Sequence, residues 1–378
     1  MLKLEGAYGS AIVYSDAVEE TAVGQIKELL DTKLARDANV RIMPDVHAGA
    51  GCVIGTTMKI NDAVCPNLVG VDIGCGVLAT RLGPGELDFV ALDRFVRKRI
   101  PSGFGVRSEE KGRHEFTDRI VLEDLIHAKS KNLDFDKIYR SIGTLGGGNH
   151  FIEVAEDSAG DLWLMIHSGS RNIGLQTAEH YQRLAQKECT DAVPADLKYL
   201  TGDSKEAYLH DMGIMQHFAE LNREAMTADI LDFLDIEKGE SVQTTHNYIE
   251  HATMMLRKGA VRANHDEKLI IPLNMADGSL LCIGKGNTDW NWSAPHGAGR
   301  VLSRTQARKV LSMDEFNKRM DGIYSTSVHP ETLDEAPMAY KDGSDIERFI
   351  GPTAAIVERL SPVYSFKAHG GGRRTNRR

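Results

Sequence analysis

No apolar run in the 378 residues reaches the roughly 18 to 20 that a membrane helix needs. The opening stretch, MLKLEGAYGSAIVYSDAVEE, has acids and glycines where an export signal has an apolar core. A bilayer-spanning protein is therefore not expected, and the cytoplasm is the expected compartment. The five cysteines (Cys52, Cys65, Cys75, Cys189, Cys282) are odd in number and show no paired spacing, which argues against a disulfide framework. A functional cysteine here is a thiol or a metal ligand. Positive charge is also short: 45 Lys and Arg against 54 Asp and Glu give a net charge of −9. That excludes a protein held on nucleic acid by bulk charge alone and leaves room for a local basic groove. Internal repeats, linkers rich in Pro and Ser, and low-complexity blocks are missing outside the tail KAHGGGRRTNRR. In that tail Lys367, Arg373, Arg374, Arg377 and Arg378 fall together, and both a phosphate-contacting segment and an inert basic end remain open.

What the chain does have is clustered glycine, 36 residues in all. The clusters are HAGAGCVIG (47–55), VGVDIGCGV (69–77), GTLGGGNHF (143–151), HSGSRNIG (167–174), IGKG (283–286) and HGAGR (296–300). Each adjoins a β-type run, so polar groups are expected at strand ends. Val40 to Met43, Asn67 to Val71, Leu162 to His167, Lys268 to Leu273 and Ser279 to Ile283 read as strands. Helical spacing covers Thr21 to Leu34, Thr177 to Glu188, Tyr208 to Phe233, Arg304 to Leu311 and Asp345 to Leu360. Three β-runs follow one another between Lys258 and Ile283 with no helix between them, which disfavours a doubly wound parallel sheet. The expected class is α+β: one large domain over residues 1–367, with mixed and antiparallel sheets surrounded by helices, and a basic tail from 368 to 378.

Four constellations carry chemistry. Asp72 and Cys75 in V-D-I-G-C-G lie three apart, and the flanking glycines allow a tight turn that aims a carboxylate and a thiolate at one point. On its own this pair is more often core and turn than ligand. His150, His167, His246 and His296 sit in Gly-rich or polar turns, and with Asp72 and Cys75 they could serve one or two transition-metal ions with an open position. Ligand softness alone points to zinc. In SAPHGAGR, His296 is followed by small residues and Arg300 ahead of a helix, a setting that suits a phosphate. In HSGSRNIG, Ser168, Ser170, Arg171 and Asn172 could contact phosphate and ribose, with a capping turn as the equal alternative.

The segments MPDVHAGAG, VGVDIGCGV, GTLGGGNHFIEV, HSGSRNIG, HNY, HGAGRVLSRTQA and DEAPMAYKD occur in an order that resembles the RtcB family of 3′-phosphate RNA ligases. The resemblance runs from about residue 41 to Lys367 and implies an α+β domain that binds two Mn²⁺ ions and GTP. Its implied reaction joins RNA ending in a 2′,3′-cyclic phosphate or 3′-phosphate to RNA with a 5′-hydroxyl. It places Asp72 and Cys75 as metal ligands, the thiolate bridging two ions, with His150, His167 and His246 beside them. His296 matches the histidine that takes up GMP. Asn149, Phe151, Ile152, Glu153, Asn247, Pro272, Leu273, Asn274, Met275, Ser279, Gly297, Ala298 and Gly299 match nucleotide-contacting positions, together with His150, His246 and Lys367. Arg171 and Arg300 are the RNA-contact expectations. An archease-like activator is a further partner to consider, and no membrane is implied. The run PLNMADG departs from the family's P-G-S-M-G, so strictness for GTP stays open; Ala294 and Pro295 replace small polar residues. Two alternatives stand beside ligation: a metal-dependent 2′,3′-cyclic phosphodiesterase, and a catalytically silent RNA-binding paralogue.

Overall fold

Period-two alternation decides the main sheet. Along Asp161–Ser168, Trp163 and Met165 face one core while Leu164 and Ile166 face another, as a strand buried on both sides requires. The computed structural model describes residues 1–130 and 133–368, so the basic tail from residue 369 lies outside the described residues. Seven strands pair antiparallel in the order Ser241–Thr245, Gly76–Pro84, Asp161–Ser168, Phe151–Glu156, Ala354–Lys367, Gly278–Gly284 and Lys268–Asn274. The two outer strands come back into contact, and Lys268 pairs with Glu240 across the seam. The sheet thus curls around an interior of Val77, Ala79, Phe151, Trp163, Met165 and Ile270. A second sheet of six strands is antiparallel except where Ser10–Val13 runs parallel to Val40–His47. The fold is α+β with mixed and antiparallel sheets, as expected.

The helix Gly202–Leu234 runs 33 residues and is buried along its length. Its Tyr208, Met212, Met215 and Phe218 enter the core of the six-stranded sheet, and its Met226 and Ile230 pack under the curled one. Among the described residues no helix is long and apolar enough to cross a membrane.

Two sequence expectations need correction. Asn67 to Val71 is not a strand: Pro66 opens a short 3-10 turn through Leu68, and Gly70 has φ +103°, so the apolar residues fill a core from a loop. Asp345 to Leu360 is not one helix. The helix Gly343–Ile350 stops before Gly351 and Pro352, and Ala354–Lys367 is a long strand. Pro352 has no N–H to continue the helical hydrogen-bond ladder, and the β-branched Ile356 and Val357 then favour extension. Two other helices begin earlier than their apolar spacing suggested, at Arg171 and Gly202.

A polar hub inside the long helix shows what its burial requires. The Asp211 carboxylate accepts hydrogen bonds from the backbone N–H of Ile126 (2.7 Å) and His127 (2.9 Å), from His127 Nδ1 (2.9 Å) and from the Tyr181 hydroxyl (2.7 Å). Burial alone would raise its pKa, but these donors outweigh it and hold the carboxyl at about 2. Asp211→Ala is expected to lower stability by about 2–4 kcal/mol, read by denaturant unfolding, because several buried donors lose their acceptor together. With the folded-state pKa depressed, the stabilisation is present above the unfolded pKa and fades as pH falls toward 2 in wild type alone.

Candidate active site

Antiparallel pairing sets four adjacent strand ends on one rim. Thr245 lies opposite Gly76, Gly76 opposite Ser168, and Phe151 opposite His167. The residues at or next to those ends are His246, Cys75, His167 and His150, so neighbours in the sheet bring together side chains up to 171 positions apart in sequence. Cys75 Sγ is 3.2 Å from His167 Nε2 and 3.6 Å from His150 Nε2. His150 Nε2 lies 2.9 Å from Asp72 Oδ2, and His167 Nε2 lies 3.4 Å from His246 Nε2. The donors form two groups, Cys75–His167–His246 and Asp72–Cys75–His150, each with all atoms within 4.8 Å. Cys75 belongs to both, the geometry of a shared thiolate.

The backbone fixes which nitrogen faces the centre. His150 Nδ1–H donates to the Leu145 carbonyl (2.8 Å) and His167 Nδ1–H to that of Asn149 (3.2 Å), leaving both Nε2 lone pairs for a cation. Burial, followed by the charges of neighbouring histidines, pushes the pKa values of His167 and His246 well below the usual imidazole range. Burial and then Asp72 push the Cys75 thiol well above its usual range. Neutral imidazoles are the form that binds metal, while the thiol must give up its proton to do so. His246 Nδ1 is buried with no hydrogen-bond partner, and a carboxylate, a thiol and three imidazoles converge in the space of one small site. This donor set fits a pair of divalent transition-metal ions.

Close backbone approach explains two glycines. A Cβ on Gly169 would lie 2.1 Å from Asp72 Oδ1, and one on Gly146 would lie 2.0 Å from Arg171 Nη1 and 2.8 Å from His150 Nδ1. The rim can hold its carboxylate and imidazole only against bare Cα atoms.

Beside the Cys75–His167–His246 group lies a cavity lined by both apolar and polar side chains. His296 lines it, between Pro295 and the turn Gly297–Ala298–Gly299. Its Nδ1–H donates to Asp45 Oδ2 at 2.6 Å and its backbone N–H to the same oxygen at 3.2 Å, so Nε2 is the nitrogen left for chemistry. Asp45 is fully buried. The expectation from sequence did not assign Asp45 a role, although a carboxylate inside the buried run Val40–His47 was a signal that something must pair with it. Asn149, Phe151, Glu153 and Ser279 line the same cavity, and the Ser279 hydroxyl is buried without a partner. Burial raises the Glu153 carboxyl to about 8, with Lys367 opposing. Lys367 Nζ donates to Glu335 Oε2 and to the Asn149 carbonyl, both at 3.1 Å.

Other expected contact residues also have partners within the protein. The Ile152 side chain points into the core under the sheet, away from the cavity. Asn247 ties loops together, donating to the Asp72 carbonyl (3.2 Å) and accepting from Gly259 N–H (3.0 Å). Pro272, Leu273, Asn274 and Met275 line the cavity, but Asn274 Oδ1 accepts from the N–H groups of Ala276 and Asp277 to close the hairpin, and Leu273 and Met275 sit in apolar clusters. Arg300 lines the cavity and is engaged by Glu335, the Tyr340 hydroxyl and the Asp334 carbonyl. Arg171 donates to Thr144 Oγ1 (2.9 Å) and the Gly103 carbonyl (2.7 Å).

A family model described as tRNA-splicing ligase RtcB matches residues 34–368. The chain belongs to the RtcB family. It is 33% identical over 358 residues to the RNA-splicing ligase RtcB of Escherichia coli K12, covering 85% of this chain and 87% of that protein. Similarity extends to the tRNA-splicing ligase RtcB of Nanoarchaeum equitans, at 28% over 425 residues, covering 86% of this chain and 87% of that one. A third relative, RNA-splicing ligase RtcB2 of Escherichia coli, is 25% identical over 375 residues, covering 87% of this chain and 88% of the relative. The family motifs in this chain are thus the segments that build the rim and the His296 cavity.

Gly169→Ala is expected to displace Asp72 and to weaken metal binding at the Asp72–Cys75–His150 group by about 10- to 100-fold, leaving the other group loaded. Cys75→Ala removes a ligand from both groups. If each group holds one divalent transition-metal ion, metal content after equilibrium dialysis should fall by one ion in the first variant and by two in the second.

Proposed function

We propose that the protein is a cytoplasmic RNA ligase, its ligase domain spanning residues 1–367, that joins RNA 2′,3′-cyclic phosphate or 3′-phosphate ends to 5′-hydroxyl ends with GTP and two Mn²⁺ ions, through a covalent GMP adduct on His296. The observation that carries the reading is the Asp45–His296 pair, with His296 lining a cavity beside a donor set for two ions. When bound, the ions would offset phosphate charge and that of the leaving pyrophosphate. The preference for manganese over the zinc suggested by ligand softness follows the family.

Asp45 holds the Nδ1 proton of His296, which leaves the Nε2 lone pair for attack on the α-phosphorus of GTP. The N–P bond forms as the bond to pyrophosphate breaks, and pyrophosphate departs with the bonding pair. The Asp45 carboxylate offsets the positive charge that the ring then carries. GMP passes to the RNA 3′-phosphate and becomes the leaving group when the 5′-hydroxyl attacks; a cyclic end is first opened by water. Within the cavity, Glu153 is an acceptor for the N1–H and exocyclic N–H groups of guanine, a pairing that adenine cannot offer.

Intact mass after incubation with Mn²⁺ and GTP, kept from acid, tests the nucleophile. A GMP-sized gain is expected in wild type, none in His296→Ala, and formation slowed by at least about 100-fold in Asp45→Asn. No gain in metal-loaded wild type would overturn the reading. The raised carboxyl of Glu153 gives a separate pH prediction. Guanine donors favour the ionised form, so GTP binding should tighten as pH rises toward about 8 and level off above it. Glu153→Gln should flatten that rise and narrow the preference for GTP over ATP, both read by calorimetry.

A further inference from the structure

The donor cluster stands between two cavities that share no lining residue. The cavity of His296 meets His167 and His246, whereas a second, open cleft meets Asp72 and His150. On its wall Phe104 is 80% exposed and Val71 50% exposed, an aromatic ring and a branched side chain left in water beside a polar site. Phe104 is not on a loose loop. Gly103 N–H donates to the Gly146 carbonyl (2.7 Å), Gly105 N–H to the Ser102 carbonyl (3.1 Å), and the Gly103 carbonyl accepts from Arg171 Nη2 (2.7 Å). Ser102 and Gly146 also form a β-bridge. The turn carrying the ring is therefore fastened to the loop that holds His150, and Arg171 adopts φ +58°, a conformation uncommon outside glycine, while making that tie. The same cleft carries the exposed Lys137 and Asn172. An exposed aromatic next to a cation and amide groups is how proteins hold an unpaired nucleotide: the base stacks, and the charge meets the backbone.

Resting on the ligase reading, we infer that this cleft receives the 5′-hydroxyl RNA strand, with its terminal base stacked on Phe104. The argument for that strand is the direction of attack. In the joining step the 5′-oxygen bonds to the 3′-phosphorus as the bond from that phosphorus to GMP breaks. GMP leaves with the bonding pair, and the hydroxyl proton passes to water in the open cleft. Attacking and leaving oxygens lie in line on opposite sides of phosphorus. GMP departs into the His296 cavity, so the hydroxyl must arrive from the other side of the donor cluster, where the Phe104 cleft opens.

The test compares full-length wild type, Phe104→Ala and Phe104→Trp with Mn²⁺ and GTP, titrating the 5′-hydroxyl strand and the 3′-phosphate strand in turn. Truncating Phe104 removes no core packing, because the ring is exposed. The expected result is a KM for the 5′-hydroxyl strand raised on the order of 10- to 100-fold in Phe104→Ala and restored in Phe104→Trp. A 5′-hydroxyl strand with an abasic first nucleotide should bind wild type as weakly as the normal strand binds Phe104→Ala. Guanylylation of a 3′-phosphate strand supplied alone separates the two ends. An unchanged KM, a failure of Trp to restore it, or a loss falling on guanylylation of the 3′-phosphate strand would overturn the inference while leaving the ligase reading intact. Wild type that forms neither adduct nor ligated product would overturn the ligase reading, and this one with it.

Discussion

Two polar side chains on one buried helix hold the site in place. Asn222 Oδ1 accepts from the N–H groups of Gly143 (2.9 Å) and Thr144 (3.0 Å), and its Nδ2 donates to the Thr144 carbonyl, Ser168 Oγ and the Gly169 carbonyl. Its neighbour Arg223 donates from Nη1 to the carbonyls of Gly74 (2.9 Å) and Ser168 (2.8 Å). Both side chains are fully buried. Between them they tie the loops that present Asp72, Cys75, His150 and His167 to a single rigid rod. Glycine-rich loops have little side-chain packing of their own, so their conformation must be imposed by hydrogen bonds from outside. A buried guanidinium is costly unless paired, which makes its position beneath a centre that collects a carboxylate and a thiolate informative: its charge partly offsets theirs.

The rim works because the sheet is antiparallel. In a parallel sheet the ends of adjacent strands that face one side are all of one chain sense, and each return needs a crossover. Here neighbouring strands alternate, so a residue just before one strand and a residue just after the next arrive side by side. His246 adds a second consequence. It falls between Ser241–Thr245 of the curled sheet and Asn247–Glu250 of the six-stranded one, so the corner where the chain changes sheets itself supplies a donor to the cluster. The donor cluster, the His296 cavity and the Phe104 cleft therefore depend on the relative placement of two sheets, which the helix Gly202–Leu234 fixes by entering both cores.

Much of this was legible in the sequence, for physical reasons. Glycine clusters beside β-runs marked the strand ends, and His, Cys and Asp within them marked the rim. The strands around Ile42, Ile166, Ile271 and Leu281 followed from apolar runs bounded by turns. The strand from Ala354 was misread because its apolar residues also fit a helical stripe, and Pro352 decides the matter. Asp45, Asn222 and Arg223 escaped notice because each acts by burial. Asn222 and Arg223 sit in a helix whose apolar residues wrap most of its circumference, so there was no polar face for them to interrupt. Arg300 was assigned to phosphate by its Gly-rich setting; its partners Asp334, Glu335 and Tyr340 come from a segment more than thirty positions away.

The departure at Leu273 and Asn274 bears on where selectivity resides. Small residues at that point would leave backbone groups free beside a bound nucleotide. In this chain Asn274 turns its amide onto the hairpin, and Leu273 packs against Tyr340, Ala298 and the other apolar neighbours of its cluster. A Cβ on Gly343 would lie 2.7 Å from Leu273 Cδ1, so that glycine makes room for the larger side chain. The substitution is thus absorbed on the protein side of the cavity wall. On the proposed reading, discrimination among bases would fall to groups that face the cavity with unmet hydrogen-bonding capacity, among them the buried Glu153 carboxyl and the unpartnered Ser279 hydroxyl. A wrong base leaves such groups buried and unpaired, and that penalty outweighs what one or two methylenes of shape difference at residue 273 can supply.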